Sequence, residues 1–141
     1  MTPDQLRQLR LLRERREQTA RQELAAANRR VSEIEATRDR LIAEVRALEE
    51  SLQDRGRAAV RNVAREGTSR VSLARMALQH QIGQEELVDL LRNTAQANGA
   101  LQQRVMESED IRRAWSATAR GVKKLDHIEM HLAAQVQTTD G

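Results

Sequence analysis

The fold is decided by the segment between residues 20 and 52, which reads ARQELAAANRRVSEIEATRDRLIAEVRALEESL. Its apolar residues follow one another at alternating spacings of four and three, and Arg38 alone interrupts the series. This spacing is the heptad repeat, which places one apolar stripe along a helix and favours packing against a second helix. We call the stripe the seam, and in this segment it consists of Ala20, Leu24, Ala27, Val31, Ile34, Leu41, Val45, Leu48 and Leu52.

The composition of the whole chain also favours helices over a sheet. Its 141 residues include one Trp, one Pro, no Phe, no Tyr and no Cys, and 32% of them are charged. Without aromatic side chains a large globular core is hard to build, and good helix formers such as Ala, Leu, Arg, Gln and Glu dominate. No segment shows the alternation of a strand. The composition is therefore typical of a long helix or a coiled coil.

The start of the first helix is marked at the N-terminus of the sequence. Thr2 and Gln5 form a Thr-x-x-Gln capping box, in which each side chain satisfies a backbone N–H of the other residue. Pro3 fits the first helical position because its fixed backbone angle suits a helix and its missing N–H would have no partner there. We therefore expect the first helix to begin at residue 3.

The turn between two helices is predicted around Gly67. Gly67 can take the left-handed conformation that ends a helix, and Thr68 or Ser69 can cap the next one. A turn at Gly56 would leave roughly thirty residues of the second arm without a partner, so it is the weaker alternative. The predicted organisation is a single elongated coiled-coil domain over residues 1–141, with a helix at 3–66, a turn at 67–69 and a helix at 70–137.

Folding the chain back at Gly67 pairs residues whose numbers add to about 135. Leu48 then faces Leu87, and the small Ala20 faces the large Trp115. The fold class that follows is all-α, a long antiparallel two-helix coiled-coil hairpin, with an expected length on the order of 100 Å. The seam of the second helix is expected to contain Leu87, Leu90, Leu101, Ile111 and Trp115.

Two features depart from a regular seam. Leu6, Leu9 and Leu12 form a stripe out of phase with the seam, which predicts a local change in helix winding between them and Ala20. In the second arm, Asn98 is expected to be the polar residue that fixes the register. The second arm also carries Gly83, Gly99 and Gly121. Each of these glycines costs about 1 kcal/mol relative to Ala in a helix.

Few residues of the sequence are candidates for metal binding, catalysis or phosphate binding. His127 and His131 lie four apart with Asp126 and Glu129 beside them, a spacing that could hold a metal, although surface histidines are the commoner interpretation. A two-helix fold offers no concave pocket that would exclude water and hold a catalytic set. The glycines are dispersed singly, so no phosphate loop is present. We therefore predict a protein that is not an enzyme and that needs no cofactor or metal.

A cluster of basic residues lies near the two chain termini. It suits an acidic protein surface better than nucleic acid, because no aromatic side chains accompany it and Glu14 and Glu17 lie within it. Residues 1–16 are polar, and no apolar run approaches the roughly 20 residues that cross a bilayer, so we expect a cytoplasmic chain without membrane insertion. This terminal basic cluster consists of Arg7, Arg10, Arg13, Arg16, Lys123 and Lys124.

The sequence resembles the FliJ/YscO family, the stalk proteins of flagellar and injectisome type III secretion systems. The resemblance extends over nearly the whole chain. It rests on the chain length, the start Leu6-Arg7-Gln8-Leu9-Arg10-Leu11-Leu12-Arg13-Glu14, the heptads rich in Ala, Glu and Arg, the late Trp115, and the stretch Val122-Lys123-Lys124-Leu125-Asp126. The glycines of the second arm fit the family pattern less well.

The resemblance implies an antiparallel two-helix coiled coil that acts like the central shaft of a rotary ATPase. The end with both termini is expected to enter the pore of a hexameric export ATPase, and the hairpin side to contact the export gate protein and substrate chaperones. Such a stalk would be a monomer that hydrolyses nothing itself. Two other classes stay open, a dimeric coiled-coil scaffold or tether and a coiled-coil chaperone.

Overall fold

The computed structural model describes residues 2–67 and 69–139 and consists there of two helices. Helix α1 spans Pro3–Glu66 and helix α2 spans Arg70–Thr139. The two helices pack against each other, and the described residues contain no strand. The prediction of an all-α two-helix hairpin is confirmed. The bounds of α1 are those predicted, whereas α2 continues to Thr139 and not only to residue 137.

Local hydrogen bonds account for both ends of the first helix. At its start, the Gln5 N–H donates to the Thr2 hydroxyl at 3.2 Å, and the Thr2 N–H donates to Gln5 Oε1 at 3.1 Å. This reciprocal pair is the predicted capping box. At its end, Gly67 has a φ of 68°, and its N–H donates to the carbonyl oxygen of Val63 at 3.2 Å. Gly67 therefore adopts the left-handed conformation that only glycine takes without strain.

The second helix is capped by Ser69. Its hydroxyl oxygen accepts the Ser72 N–H at 3.2 Å, and its carbonyl oxygen accepts the Leu73 N–H at 3.1 Å. A serine in this position satisfies one of the backbone donors that a helix leaves free at its start. Thr68, the other predicted cap, lies outside the described residues.

The contacts divide the chain into two compact units, and both helices contribute to each. The first unit contains Met1–Ser32 and Gln103–Gly141, and the second contains Glu33–Gln102. The predicted seam positions are buried or half-buried within their own units. Those of the first unit are Ala20, Leu24, Ala27, Val31, Ile111 and Trp115, and those of the second are Ile34, Leu41, Val45, Leu48, Leu52, Leu87, Leu90 and Leu101.

The tightest part of the first unit is built from small residues. Ala27 is 2% exposed, and Ser108, whose number adds to 135 with that of Ala27, is also buried. The Ser108 hydroxyl donates to Asn28 Oδ1 at 2.8 Å across the two helices. This bond favours one register, because a shift would leave the buried Ser108 hydroxyl without its partner, the exposed Asn28. Asn98, which was predicted to have this role, is exposed, so that prediction is wrong.

The heptad spacing of the seam continues without a shift from Ala20 back toward the N-terminus. Arg13 and Glu17 occupy its positions and are half-buried, and Leu6, two heptads before Ala20, is buried. Leu12 is 47% exposed. The predicted out-of-phase stripe is therefore wrong at Leu12. The aliphatic stems of Arg and Glu can cover apolar surface while their charged ends reach water, so a charged residue does not have to interrupt a seam.

In the second unit, a leucine fills the space that a glycine leaves. A Cβ atom at Gly83 would overlap Cδ2 of Leu52 on the opposite helix. The residue numbers of this pair add to 135, as the predicted register requires. Gly83 itself is buried and lies in phase with Leu87 and Leu90. The glycine thus gives up helix propensity and allows Leu52 to approach the backbone of α2.

Two glycine substitutions should separate the cost of glycine in a helix from the packing of Leu52 against Gly83. Gly99→Ala should raise the free energy of unfolding by about 1 kcal/mol, because a Cβ there would meet no heavy atom of the described residues within 4 Å. Gly83→Ala should gain clearly less or lose stability, because Leu52 has to leave its place. Urea unfolding followed by circular dichroism measures both. Equal stabilisation by the two changes would show that Leu52 does not pack against Gly83.

Candidate functional site

The terminal basic cluster lies in the first unit, but its members are not equivalent. Arg7, Arg16, Lys123 and Lys124 are exposed, as expected for residues that contact a partner. Arg10 and Arg13 are half-buried. An exposed position is what the sequence predicts for Arg10, Arg13 and Arg16, and this prediction is wrong for Arg10 and Arg13.

Arg10 belongs to an ion-pair network that joins the two helices. Its guanidinium pairs with Glu14 on its own helix at 3.1 Å and with Asp126 on α2 at 3.0 Å. It also forms an ion pair with Glu129 on α2. Glu129, the hydrogen bond with Glu14, and Asp126 raise the pKa of Arg10 above its ordinary value. Because three carboxylates surround it, the positive charge of Arg10 is compensated within the chain and is less available to a partner than an unpaired charge would be.

Arg13 lies against the backbone of the opposite helix. Its Nη1 atom would be 2.7 Å from a Cβ atom at Gly121, which glycine does not have. Gly121 therefore leaves room for the guanidinium, in the same way that Gly83 leaves room for Leu52. The sequence shows a basic residue at position 13, but it does not show that Gly121, more than a hundred residues away, leaves room for the guanidinium beside α2.

An apolar groove of about 680 Å³ lies beside this cluster, within the first unit. We call it the terminal groove. Ile128, Leu132 and Val136 of α2 follow one another at spacings of four residues, so they share one helix face. Sequence reasoning missed this groove, although that spacing was a readable signal. The residues that line it are Thr2, Pro3, Leu6, Leu9, Arg13, Leu125, Ile128, Leu132, Ala133 and Val136.

The histidine pair offers little to a metal. His127 and His131 are exposed, and His131 Nε2 lies 3.3 Å from Gln135 Nε2. Glu129, the carboxylate between them in sequence, is engaged by Arg10. Within residues 2–67 and 69–139, no three or more His, Cys, Asp or Glu side chains come together in a way that could hold a metal ion.

The fold and this surface define a helical-hairpin protein with a basic and apolar region near its termini. No protein-family model, no curated protein and no solved structure matches the chain. No helix among the described residues combines the length and the apolar character needed to span a bilayer.

Proposed function

We propose that this protein is a non-enzymatic central-stalk component of a type III protein export apparatus. In this proposal its terminal region enters the pore of a hexameric export ATPase, and the chain links that ATPase to the export gate protein and to substrate chaperones. It acts as a cytoplasmic monomer, peripheral to a membrane-embedded apparatus. The resemblance to the FliJ/YscO stalk proteins suggests these partners, and the surface of the first unit supports them.

The observation that supports the proposal best is the combination of exposed charge and exposed apolar surface near the termini. Arg7, Arg16, Lys123 and Lys124 form no ion pair within the described part of the chain. Free basic side chains favour an acidic partner and speed its association, because complementary charges steer diffusing molecules together. The terminal groove next to them offers apolar area that a partner's side chains can bury.

The non-enzymatic part of the proposal rests on the same geometry. The grooves of the first unit lie between only two helices and are open to water. Catalytic groups depend on fixed dipoles in a site from which water is excluded. The proposed contribution is therefore mechanical and allosteric, through contacts with the ring, and no cofactor takes part.

ATP hydrolysis by the hexameric export ATPase of the same organism tests the proposal. The purified chain alone should hydrolyse no ATP above the buffer blank, and its addition to the ATPase should raise the rate of hydrolysis and the fraction of hexamers. A comparable amount of an unrelated two-helix coiled coil is the control. An unchanged hydrolysis rate, with no binding to the ATPase, would reject the stalk function.

The terminal groove also favours a second candidate, a dimeric scaffold or tether. Ile128 and Leu132 are exposed on this groove, and a second copy of the chain could cover them. Light scattering separates the two candidates, since the stalk should have the monomer mass of 16.0 kDa and the tether twice that mass. A stable dimer would favour the tether.

A further inference from the structure

The net positive charge of this protein is concentrated around the turn and not at the termini. Residues 55–84, which we call the hairpin end, contain six arginines and a single acidic residue, Glu66, so their formal charge is +5. The whole chain has a charge of +3, so all other residues together carry −2. The arginines of the hairpin end are Arg55, Arg57, Arg61, Arg65, Arg70 and Arg75.

These six arginines are free to bind an external anion. All are exposed, and none forms an ion pair among the described side chains of residues 2–65 and 69–138. Some arginines elsewhere in the chain do form ion pairs. Arg10 has three carboxylate partners and Arg21 pairs with Glu17 at 2.8 Å. Without such partners, the hairpin end presents almost uncompensated positive charge.

On α1 the arrangement of the arginines works against helix stability. Arg57, Arg61 and Arg65 follow at spacings of four residues and therefore lie on one face. Like charges at this spacing destabilise a helix by a few tenths of a kcal/mol per pair. None of the three forms an ion pair with a described side chain that would offset this cost. A ligand with several negative charges would offset it.

On α2 an apolar stripe lies beside this charge. Val71, Leu78 and Ile82 share a face with Arg75, at spacings of four, three and four residues. Val71, Leu78 and Ile82 are 68%, 58% and 46% exposed, respectively. The packing of the two helices in the second unit therefore leaves them accessible. This stripe is separate from the seam that contains Gly83 and Leu87, so the fold itself does not cover it. The hairpin end is therefore both cationic and apolar.

We propose that the hairpin end binds the surface of a membrane that contains anionic lipids. Its arginines attract the lipid headgroups, and the stripe of Val71, Leu78 and Ile82 enters the boundary between headgroups and acyl chains. Clusters of about four to eight basic residues on an amphipathic helix are the usual signature of anionic-lipid binding. Stable attachment normally needs such a charge signal together with a second, apolar one. This inference is independent of the proposed stalk function.

Lipid explains this surface better than nucleic acid or an acidic protein does. Exposed aliphatic side chains have no role in phosphate contacts, and the single aromatic residue of the chain, Trp115, lies outside the hairpin end. The apolar side chains occur on both helices, with Val60 on α1 exposed like Val71 on α2, and arginines lie among them. A fluid lipid interface adapts to such a mixed surface, whereas a protein partner needs matching shape.

Sedimentation with vesicles tests the proposal. The full chain should bind vesicles of phosphatidylcholine mixed with phosphatidylglycerol, and should not bind vesicles of phosphatidylcholine alone. Binding should weaken as salt is raised, because the attraction between exposed charges is screened. Equal binding to the two kinds of vesicle, or to neither, would overturn the proposal. Binding to duplex DNA without binding to anionic vesicles would overturn it in favour of a nucleic-acid surface.

The contribution of the arginines is measured with matched variants. Replacing Arg57, Arg61 and Arg65 together by Gln should lower the vesicle partition coefficient on the order of a hundredfold. Gln is also a good helix former, and circular dichroism should show unchanged helicity. The control replaces three other exposed arginines, Arg29, Arg30 and Arg46, by Gln. It removes the same amount of exposed charge and should change the partition coefficient little. Similar partition for the two variants would overturn the proposal.

The apolar contribution is tested separately. Replacing Val71, Leu78 and Ile82 together by Ser should lower partition at least about tenfold, because the apolar insertion is lost. The same three-residue change to Ser at Leu11, Met106 and Met130, which are comparably exposed elsewhere, is the control and should have little effect. If the control lowers partition as much as the first variant, the stripe does not enter the membrane.

Discussion

Ala27→Glu should lower the free energy of unfolding by about 3 kcal/mol, which corresponds to a drop of about 10 °C in Tm. Ala27 is 2% exposed and its register partner on α2 is Ser108, which is also buried. The longer side chain has no space there. Its carboxylate would also lose its hydration without a hydrogen bond or ion pair to compensate for it. Helix propensity is not responsible for the loss, because Glu is a good helix former.

Ala25→Glu provides the matched control. Ala25 lies two residues earlier on the same helix and is exposed, so the same chemical change there should alter Tm by little. Thermal unfolding of both variants, followed by circular dichroism, gives the comparison. Similar losses at positions 25 and 27 would mean that the helices do not pack in this register.

Reversing the exposed charges of the terminal basic cluster should strongly reduce the proposed stalk activity. Replacing Arg7, Arg16, Lys123 and Lys124 together by Glu should weaken association with the export ATPase about tenfold or more, and the stimulation of ATP hydrolysis should fall with it. Raising the salt concentration should reduce the difference between the variant and the parent, since exposed charges are screened over about 10 Å at 0.1 M. Association is measured by the concentration of chain that gives half-maximal stimulation.

Arg10 and Arg13 stay unchanged in this variant because they contact α2. Reversing Arg10 would set a negative charge against Asp126 and Glu129, so lost activity could then reflect a disturbed fold. The control reverses four other exposed arginines of the first unit, namely Arg29, Arg30, Arg112 and Arg113. If both variants stimulate the ATPase as well as the parent does, the terminal basic cluster is only a solvated helix face.

The parts of this fold that could be predicted from sequence depend on local signals. The capping box of Thr2 and Gln5 and the left-handed Gly67 are short-range features, and the structure contains both. The heptad spacing is equally local and predicted the helical seam, and the register followed from the position of the turn at Gly67. These features agree with one another because each follows from helix geometry alone.

The features that could not be predicted depend on contacts between distant residues. Gly83 is a poor helix former in any sequence analysis, and its role becomes visible only with Leu52 beside it. Similarly, Arg10 belongs to a basic cluster by sequence, whereas its carboxylate partners Asp126 and Glu129 come from the other helix. Long charged side chains can point toward solvent or across a helix pair, and spacing does not decide between these directions.

The positions of the surface charges can be read from the sequence, but their ion pairs cannot. The excess of arginines in residues 55–84 is fully visible in the sequence. What the sequence does not give is that the terminal basic cluster is partly neutralised by ion pairs while the arginines of the hairpin end are not. Counting charges along the chain therefore locates both basic regions, but it does not show which of their arginines are already paired.

Site-specific cross-linking tests the proposed stalk function most directly. The chain has no cysteine, so a single Gln8→Cys or Asn62→Cys substitution can carry a photoreactive maleimide at one exposed position. Position 8 lies beside the terminal basic cluster and position 62 in the hairpin end. Illumination with the assembled hexameric ATPase should join the chain to an ATPase subunit from position 8 and not from position 62. A cross-link from position 62 alone, or from neither position, would contradict the proposed insertion of the terminal region into the ring.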